Sequence, residues 1–309
     1  MKHETETIMN EVGKVIIGKD DVIEKVFMAI LSKGHVLIED VPGVGKTTLA
    51  IAFSRALGLD YKRVQFTSDS VPSDIIGFSV LQKDAGDLVY KPGAVMTNLL
   101  LADEINRTSS KTQSALLEVM EEGNVTVDGV THAIPEPFIV LATQNPVGSA
   151  GTQMLPASQM DRFMICLKMG YPDHDSQINI LKDRHTENPL NAVAEVANRD
   201  KILALQQAAA AVHVSDIVYD YITRLAEETR AHEMVALGIS PRGALALCLM
   251  AKSYAVVRGR DFVVPEDVRA VCADVCAHRL VLSPKARMSE RDSAGIIREI
   301  VDRIELPVM

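Results

Sequence analysis

The chain has no tryptophan, and aromatic residues fill only 4% of its 309 positions. A nucleic-acid groove built on stacked aromatic rings is therefore poorly supplied. Cysteine is scarce too, and Cys166, Cys248, Cys272 and Cys276 suggest no disulfide framework. Positive charge is in deficit: 32 Lys+Arg stand against 41 Asp+Glu, leaving −9. That sign disfavours gripping a polyanion over a broad basic face. No apolar run approaches the roughly 18 residues of a membrane span. The opening residues, Met1-Lys2-His3-Glu4-Thr5-Glu6, put acids where a secretory leader needs apolar side chains, so the expected address is cytoplasmic.

What remains is ample core material, 47% hydrophobic with 24% charged, over a length that suggests two domains. Up to about residue 185, short apolar runs alternate with helical patterns, as in a parallel α/β sheet. His35–Glu39, Leu99–Ala102 and Phe138–Ala142 read as strands, the last two apolar at every position, as strands covered on both faces should be. A helix is expected from Gly45 to about Leu57, with Gly58 closing it. Ser110 and Gln113 have the spacing of a capping box for a helix running through Met120 and ended by Gly123. Val125–Thr131 alternates around Asp128-Gly129, a hairpin signal.

Beyond Thr186-Glu187-Asn188-Pro189, which reads as a linker, the pattern is helical. Ile217, Val218, Tyr221, Ile222 and Leu225 form one apolar stripe. Ser240-Pro241 and Pro265-Glu266-Asp267 each look like a helix start, and Ala204–Ala211 is good helix-forming material. Cys272 and Cys276, with His278 nearby, have the look of metal ligands. They also continue the helical stripe Val268, Val271, Cys272, Val275, Cys276, and core packing is the preferred reading. The expected plan is an α/β domain over residues 1–185 followed by a helical domain over 186–309.

Pro42-Gly43-Val44-Gly45-Lys46-Thr47-Thr48 lies between a predicted strand and a predicted helix. Glycines there let backbone N–H groups curl around phosphates, and the helix dipole adds to the attraction. Lys46 would reach the β- and γ-phosphates and the Thr47 hydroxyl would help hold Mg²⁺. Asp40 stands where the general pattern has glycine. Asp103-Glu104 ends a buried strand at the carboxyl edge where ligands of α/β sheets gather. Asp103 is the expected Mg²⁺-side acid, and Glu104 the group that orients or deprotonates a water. Asn145 ends the next strand, where it either positions that water or serves as a turn residue before Pro146. Arg242, at a helix start where a cation opposes the dipole, is either a phosphate partner or a surface residue.

Taken together, these motifs resemble the MoxR family of AAA+ ATPases. The resemblance rests on Leu37–Thr47, Leu101–Arg107, Gln113–Glu118, Ala142–Pro146, Asp161-Arg162-Phe163, Ser240-Pro241-Arg242 and Gly259-Arg260-Asp261. It spans nearly the whole chain, and it accommodates Asp40. It implies a P-loop AAA+ core with a small all-α lid, Asn145 as sensor 1, Arg242 as sensor 2, and Arg162 as the finger completing a neighbouring subunit's site. It also implies that adenine lies near Val15, Ile17 and Gly18, and that the α/β domain carries the family's inserts near 70–93 and 123–136. Family members are chaperone-like rings, often hexamers, that work with von Willebrand A domain partners on other protein complexes. Against the family pattern, no acidic residue stands at Ala157 or Ser158. A nucleic-acid motor with the same core, or a non-catalytic nucleotide switch, are the alternatives; net charge opposes the first, and intact Glu104 and Arg162 oppose the second.

Overall fold

A computed structural model describes residues 1–82, 88–145, 155–183 and 188–307. Two helices, α1 (Lys2–Gly13) and α2 (Asp20–Leu31), precede β1 (Val36–Glu39), α3 (Lys46–Ala56) and β2 (Tyr61–Gln65). An excursion follows: α4 (Pro72–Ile76), β3 (Gly77–Leu81) and β4 (Leu88–Pro92). The chain re-enters as β5 (Leu99–Asp103), α5 (Ser110–Glu122), the hairpin β6 (Asn124–Val127) and β7 (Val130–Ala133), then β8 (Ile139–Gln144). After α6 (Ala157–Met160), β9 (Ile165–Leu167) and α7 (His174–Asp183) come α8 (Arg199–Ala211) and α9 (Asp216–Ala231). The last elements are β10 (Val235–Leu237), α10 (Pro241–Val257), α11 (Pro265–Cys276), β11 (Val281–Leu282), α12 (Pro284–Met288) and α13 (Ser293–Arg303).

Five strands form one parallel sheet in the order β2-β5-β8-β1-β9. The period-two rule divides its side chains cleanly. Val36, Ile38, Leu99, Leu101, Ile139 and Leu141 face one apolar layer with α1, α2 and α3. Leu37, Leu100, Ala102, Val140 and Ala142 face the other, with Leu116, Leu117 and Phe163. Burial on both faces is why β5 and β8 carry no polar residue until their carboxyl ends. The first layer continues without a break into the C-terminal helices through residues such as Leu247, Val268, Val275 and Ile297. Gln206 Nε2 donates to the Ile30 carbonyl at 2.8 Å, tying α8 to α2. The expected boundary at 185/186 falls outside the described residues.

Three local expectations need correcting. The hydroxyl that caps α5 belongs to Ser109, accepting from Thr112 N, rather than Ser110. A cap bonds the N–H three positions on, so Gln113 falls on the buried face and donates instead to the carbonyls of Ile105 and Thr108. Ile217 is exposed, the buried stripe of α9 being Val218, Tyr221, Ile222, Leu225 and Ala226. The helical region also holds two short strands, β10 and β11, paired antiparallel. Cys272 and Cys276 are fully buried on the core face of α11.

The two excursions meet. β3 pairs with β4, and β6 with β7 through a turn in which Asp128 and Gly129 both take positive φ (49° and 79°), the geometry that suits a two-residue hairpin. The ring of Tyr90 on β4 stacks on His132 of β7, centroids 3.9 Å apart. Gly77 and Gly93 stand at the root of the first hairpin, where an added Cβ would lie 2.3 Å from the Lys91 carbonyl oxygen or 2.2 Å from that of Ile75.

His35 closes the amino end of the sheet. Its Nε2 donates to the Met120 carbonyl at 3.0 Å while Nδ1 accepts from Val140 N at 3.0 Å, a pair of roles only the neutral ring can fill. Burial, with the charge of Arg242 acting the same way, pushes its pKa down to about 4. An unfolded histidine titrates near 6.5. Between those values the unfolded chain takes up a proton that the folded one refuses, so stability falls as pH is lowered through the window. We predict that chemical denaturation shows a loss of about 3 kcal/mol from His35 alone on going from pH 7 to pH 4. His35→Gln, able to donate and accept but not titrate, should flatten that slope.

Candidate active site

The carboxyl ends of β1, β5 and β8 open onto one edge. The register sets Val64 of β2 beside Ala102, Ala102 beside Ala142, and Glu39 beside Gln144. Asp40, Asp103, Glu104, Thr143 and Asn145 therefore emerge together. From β1 the chain turns through Gly43 (φ 87°) and Gly45 (φ 101°), conformations open to glycine, into α3. Lys46, buried at the start of α3, donates from Nζ to the Asp40 carbonyl at 2.8 Å. Burial pushes its ammonium below the usual lysine range, against the pull of Asp103, Asp40 and Glu104. The Asp40 carboxylate accepts from Val41 N at 2.8 Å and from Gly170 N at 2.5 Å. An aspartate in place of glycine thus ties the start of the loop to the chain leaving β9.

Thr143 organises the acids. Its hydroxyl donates to Asp103 Oδ1 at 2.6 Å and accepts from Glu104 N at 2.9 Å. Asp103 Oδ2 accepts from Arg63 at 2.7 Å. Glu104 sits in the left-handed region (φ 58°, ψ 47°), a conformation that costs a branched or long side chain of order 1–3 kcal/mol and is concentrated at functional sites. Its carboxylate accepts from Asn145 Nδ2 at 3.2 Å and pairs with Arg107 at 2.7 Å. Asn106 fixes the Asn145 backbone from both sides, donating to its carbonyl and accepting from its N–H. Asn145 Oδ1 is buried with no partner among the described residues, an acceptor still waiting for a donor. Pro146 lies outside the described residues.

Beside the loop lies a cavity of about 610 Å³. Val15, Ile17, Gly43, Val44, Gly45 and Thr48 line it as expected; Pro42, Lys46 and Thr47 belong to the same loop and helix but not to its wall. Gly18 (φ 71°) stands behind, where a Cβ would come within 2.2 Å of Ser176 Oγ. The far wall was not foreseen: Gln177, Ile180 and Leu181 of α7, with Met169 and Tyr171. Lys19 Nζ donates to the Tyr171 carbonyl at 2.8 Å, joining the two sides. An apolar slot next to a glycine-rich helix start suits a purine with its phosphates on the loop.

Arg162 and Arg242 are elsewhere. Arg162 precedes β9, and Met164 N donates to the His35 carbonyl, so both mark the amino edge of the sheet. Arg242 pairs with Glu121, next to the Met120 that His35 holds. The length of β1, roughly 13 Å of strand, separates that edge from Lys46. The structure therefore does not bring Arg242 together with Lys46, Asp103 and Glu104. It brings it to Arg162: Arg162 Nε lies 3.0 Å from Glu121 Oε2, and Arg242 Nη1 lies 3.0 Å from Oε1.

Against known proteins, residues 35–165 match the model of the ATPase family associated with various cellular activities (AAA), and residues 227–300 match the AAA lid domain. Chaperone MoxR1 of Mycobacterium tuberculosis is 40% identical over 99% of this chain and 83% of its own. The chain belongs to the MoxR family of AAA+ ATPases. YeaC of Bacillus subtilis is 43% identical over 97% of this chain and 94% of its own. A solved structure from Cytophaga hutchinsonii superposes with a TM-score of 0.92 at 34% identity, covering 99% of this chain and 96% of that one. The fold is accordingly the MoxR-type P-loop core with its lid.

Thr143 was not singled out by sequence, yet it serves both acids. Thr143→Val preserves shape while leaving Asp103 and the Glu104 N–H short of a partner. We predict a loss of about 1–3 kcal/mol in urea denaturation, together with reduced ATP hydrolysis if this edge is catalytic.

Proposed function

We propose that this MoxR-family protein hydrolyses ATP at the interfaces of a homo-oligomeric ring and uses the cycle to remodel client protein complexes. What carries the reading is the division of polar groups between two edges: a loop, acids and sensor on one, two arginines on the other. ATP would lie with its base in the slot between Val15–Ile17 and α7, and its phosphates on the N–H groups of Gly43–Lys46. Lys46 would leave the Asp40 carbonyl for the β- and γ-phosphates. Thr47 and Asp103 would hold Mg²⁺, which supplies neutralising charge on the phosphate oxygens. Glu104, aimed by Asn145, would orient a water and take its proton.

The family resemblance extends the reading to a cytoplasmic, chaperone-like hexamer served by a partner with a von Willebrand A domain, acting in the maturation of cofactor or metal centres. Chaperone MoxR1, so named, supports the chaperone part. No helix among the described residues is long and apolar enough to cross a membrane.

Because Arg162 and Arg242 share a carboxylate, we read both as serving the neighbour's ATP, which places Arg242 in trans. Mixing experiments test this under conditions of subunit exchange. Glu104→Gln and Arg162→Ala should each bind ATP and be nearly inactive, a trans arginine being worth roughly 10³–10⁵ in rate. Mixed together they should regain activity, since some interfaces then unite an intact Glu104 with an intact Arg162. Arg162→Ala mixed with Arg242→Ala should regain nothing, because every interface lacks one arginine. Recovery in that last mixture would put Arg242 in cis; no recovery in the first would remove Arg162 from the interface.

A further inference from the structure

Arg162 and Arg242 come from opposite ends of the chain's architecture, yet their roots form one block. The Asp161 carboxylate accepts from Arg279 Nε at 2.7 Å and from Ser240 Oγ at 2.8 Å. Ser240, two residues before Arg242, also caps α10, accepting from Gly243 N at 3.1 Å. Arg279, buried, donates onward to the Phe163 carbonyl at 2.7 Å and the Met164 carbonyl at 3.1 Å. Backbone placement of both arginines is thus settled without Glu121.

The tips are another matter. Two guanidinium groups with like charge repel and, on a wet surface, each has many rotamers to explore. Glu121 offers one oxygen to each. It takes Arg162 by Nε, and among the described residues no acceptor meets either Arg162 Nη. It takes Arg242 by Nη1, and no described acceptor meets its Nε or Nη2. Among the described residues the carboxylate therefore leaves donors of both arginines without an acceptor, with one net positive charge left over for an anion.

We propose that Glu121 is a positioning residue that sets Arg162 and Arg242 as a single two-pronged donor for the terminal phosphate held by the neighbouring subunit. This rests on the trans reading of the arginines given above. Glu121 is 40% exposed and its ion pairs lie at the surface, so replacing it should cost little stability. Its contribution is to the geometry of a transition state, where small misplacements are expensive.

The test uses full-length protein and steady-state ATP hydrolysis with KM and kcat separated. Glu121→Gln keeps one acceptor but turns an amide N–H₂ on the second arginine. It should keep the wild-type unfolding midpoint, oligomer size and KM for ATP, and lose roughly 10- to 100-fold in kcat. Glu121→Asp, retaining the charge, should recover part of that loss. In an Arg162→Ala, Arg242→Ala background the Glu121→Gln change should cost nothing further, since there is nothing left to position. Wild-type kcat in Glu121→Gln, or an undiminished loss in that double-arginine background, would overturn the proposal. If Arg162→Ala itself turns over normally, the trans reading fails and the role of Glu121 falls with it. Inactive Arg162→Ala beside fully active Glu121→Gln would sink only the role of Glu121.

Discussion

The position of β8 between β1 and β5 governs everything at the carboxyl edge of the sheet. One strand, inserted between the strand that leads to the loop and the strand that ends in Asp103, carries Thr143, Gln144 and Asn145 out at the same level. A one-residue slip of β8 would turn Thr143 to the other face and set an apolar side chain against Asp103. Register is pinned by burial, since Ile139–Ala142 are sealed on both faces and any shift would exchange their layers. The hydrophobic effect thus sets the register on which the polar network depends.

What sequence could read was whatever is local. A glycine-rich turn before a helix, acids closing an all-apolar strand, an asparagine closing the next and an Asp-Gly hairpin all declare themselves within a few residues. Thr143 was hidden because a threonine in a strand looks like any β-former; only the neighbouring strand reveals its two hydrogen bonds. The α7 wall of the nucleotide slot was hidden for a similar reason, as Gln177, Ile180 and Leu181 are ordinary residues until the chain folds back past Gly18. Arg242 is the sharper case. Its helix-start position marked it for attention, and the family pattern named a role, but neither carries direction. Only the fold tells which edge of the sheet it reaches, because 80 residues separate it from Arg162. The α5 cap moved by one residue because two adjacent serines offer the same hydroxyl, and the buried face of the helix chooses between them.

The two edges also differ electrostatically. At the carboxyl edge Asp103 pairs with Arg63 and Glu104 with Arg107, each at 2.7 Å, and both acids act through their charge on Lys46. At the amino edge two arginines share one carboxylate, and the charge of Arg242 adds to burial in holding His35 neutral. Under the proposed function, each edge alone is incomplete for stabilising a transferring phosphoryl group, whose charge spreads over several oxygens. A protomer with these halves at opposite ends suits a closed cycle of head-to-tail contacts better than a two-fold pair, in which like edges would meet.

The stack of Tyr90 on His132 has a mechanical meaning. Two hairpins that leave the core at different points are fastened side by side just above their roots, Tyr90 two residues from Pro92 and His132 one residue from Ala133. A pair of beams pinned partway along resists bending more than either would alone, and a pull on one tip is passed into both anchorages. One anchorage is the tight crossing at Gly77 and Gly93, where no larger residue fits; the other is Gly123, at the end of the helix that carries Glu121. Load on the hairpins is therefore delivered to the last turn of α5, the same turn that holds the arginine pair.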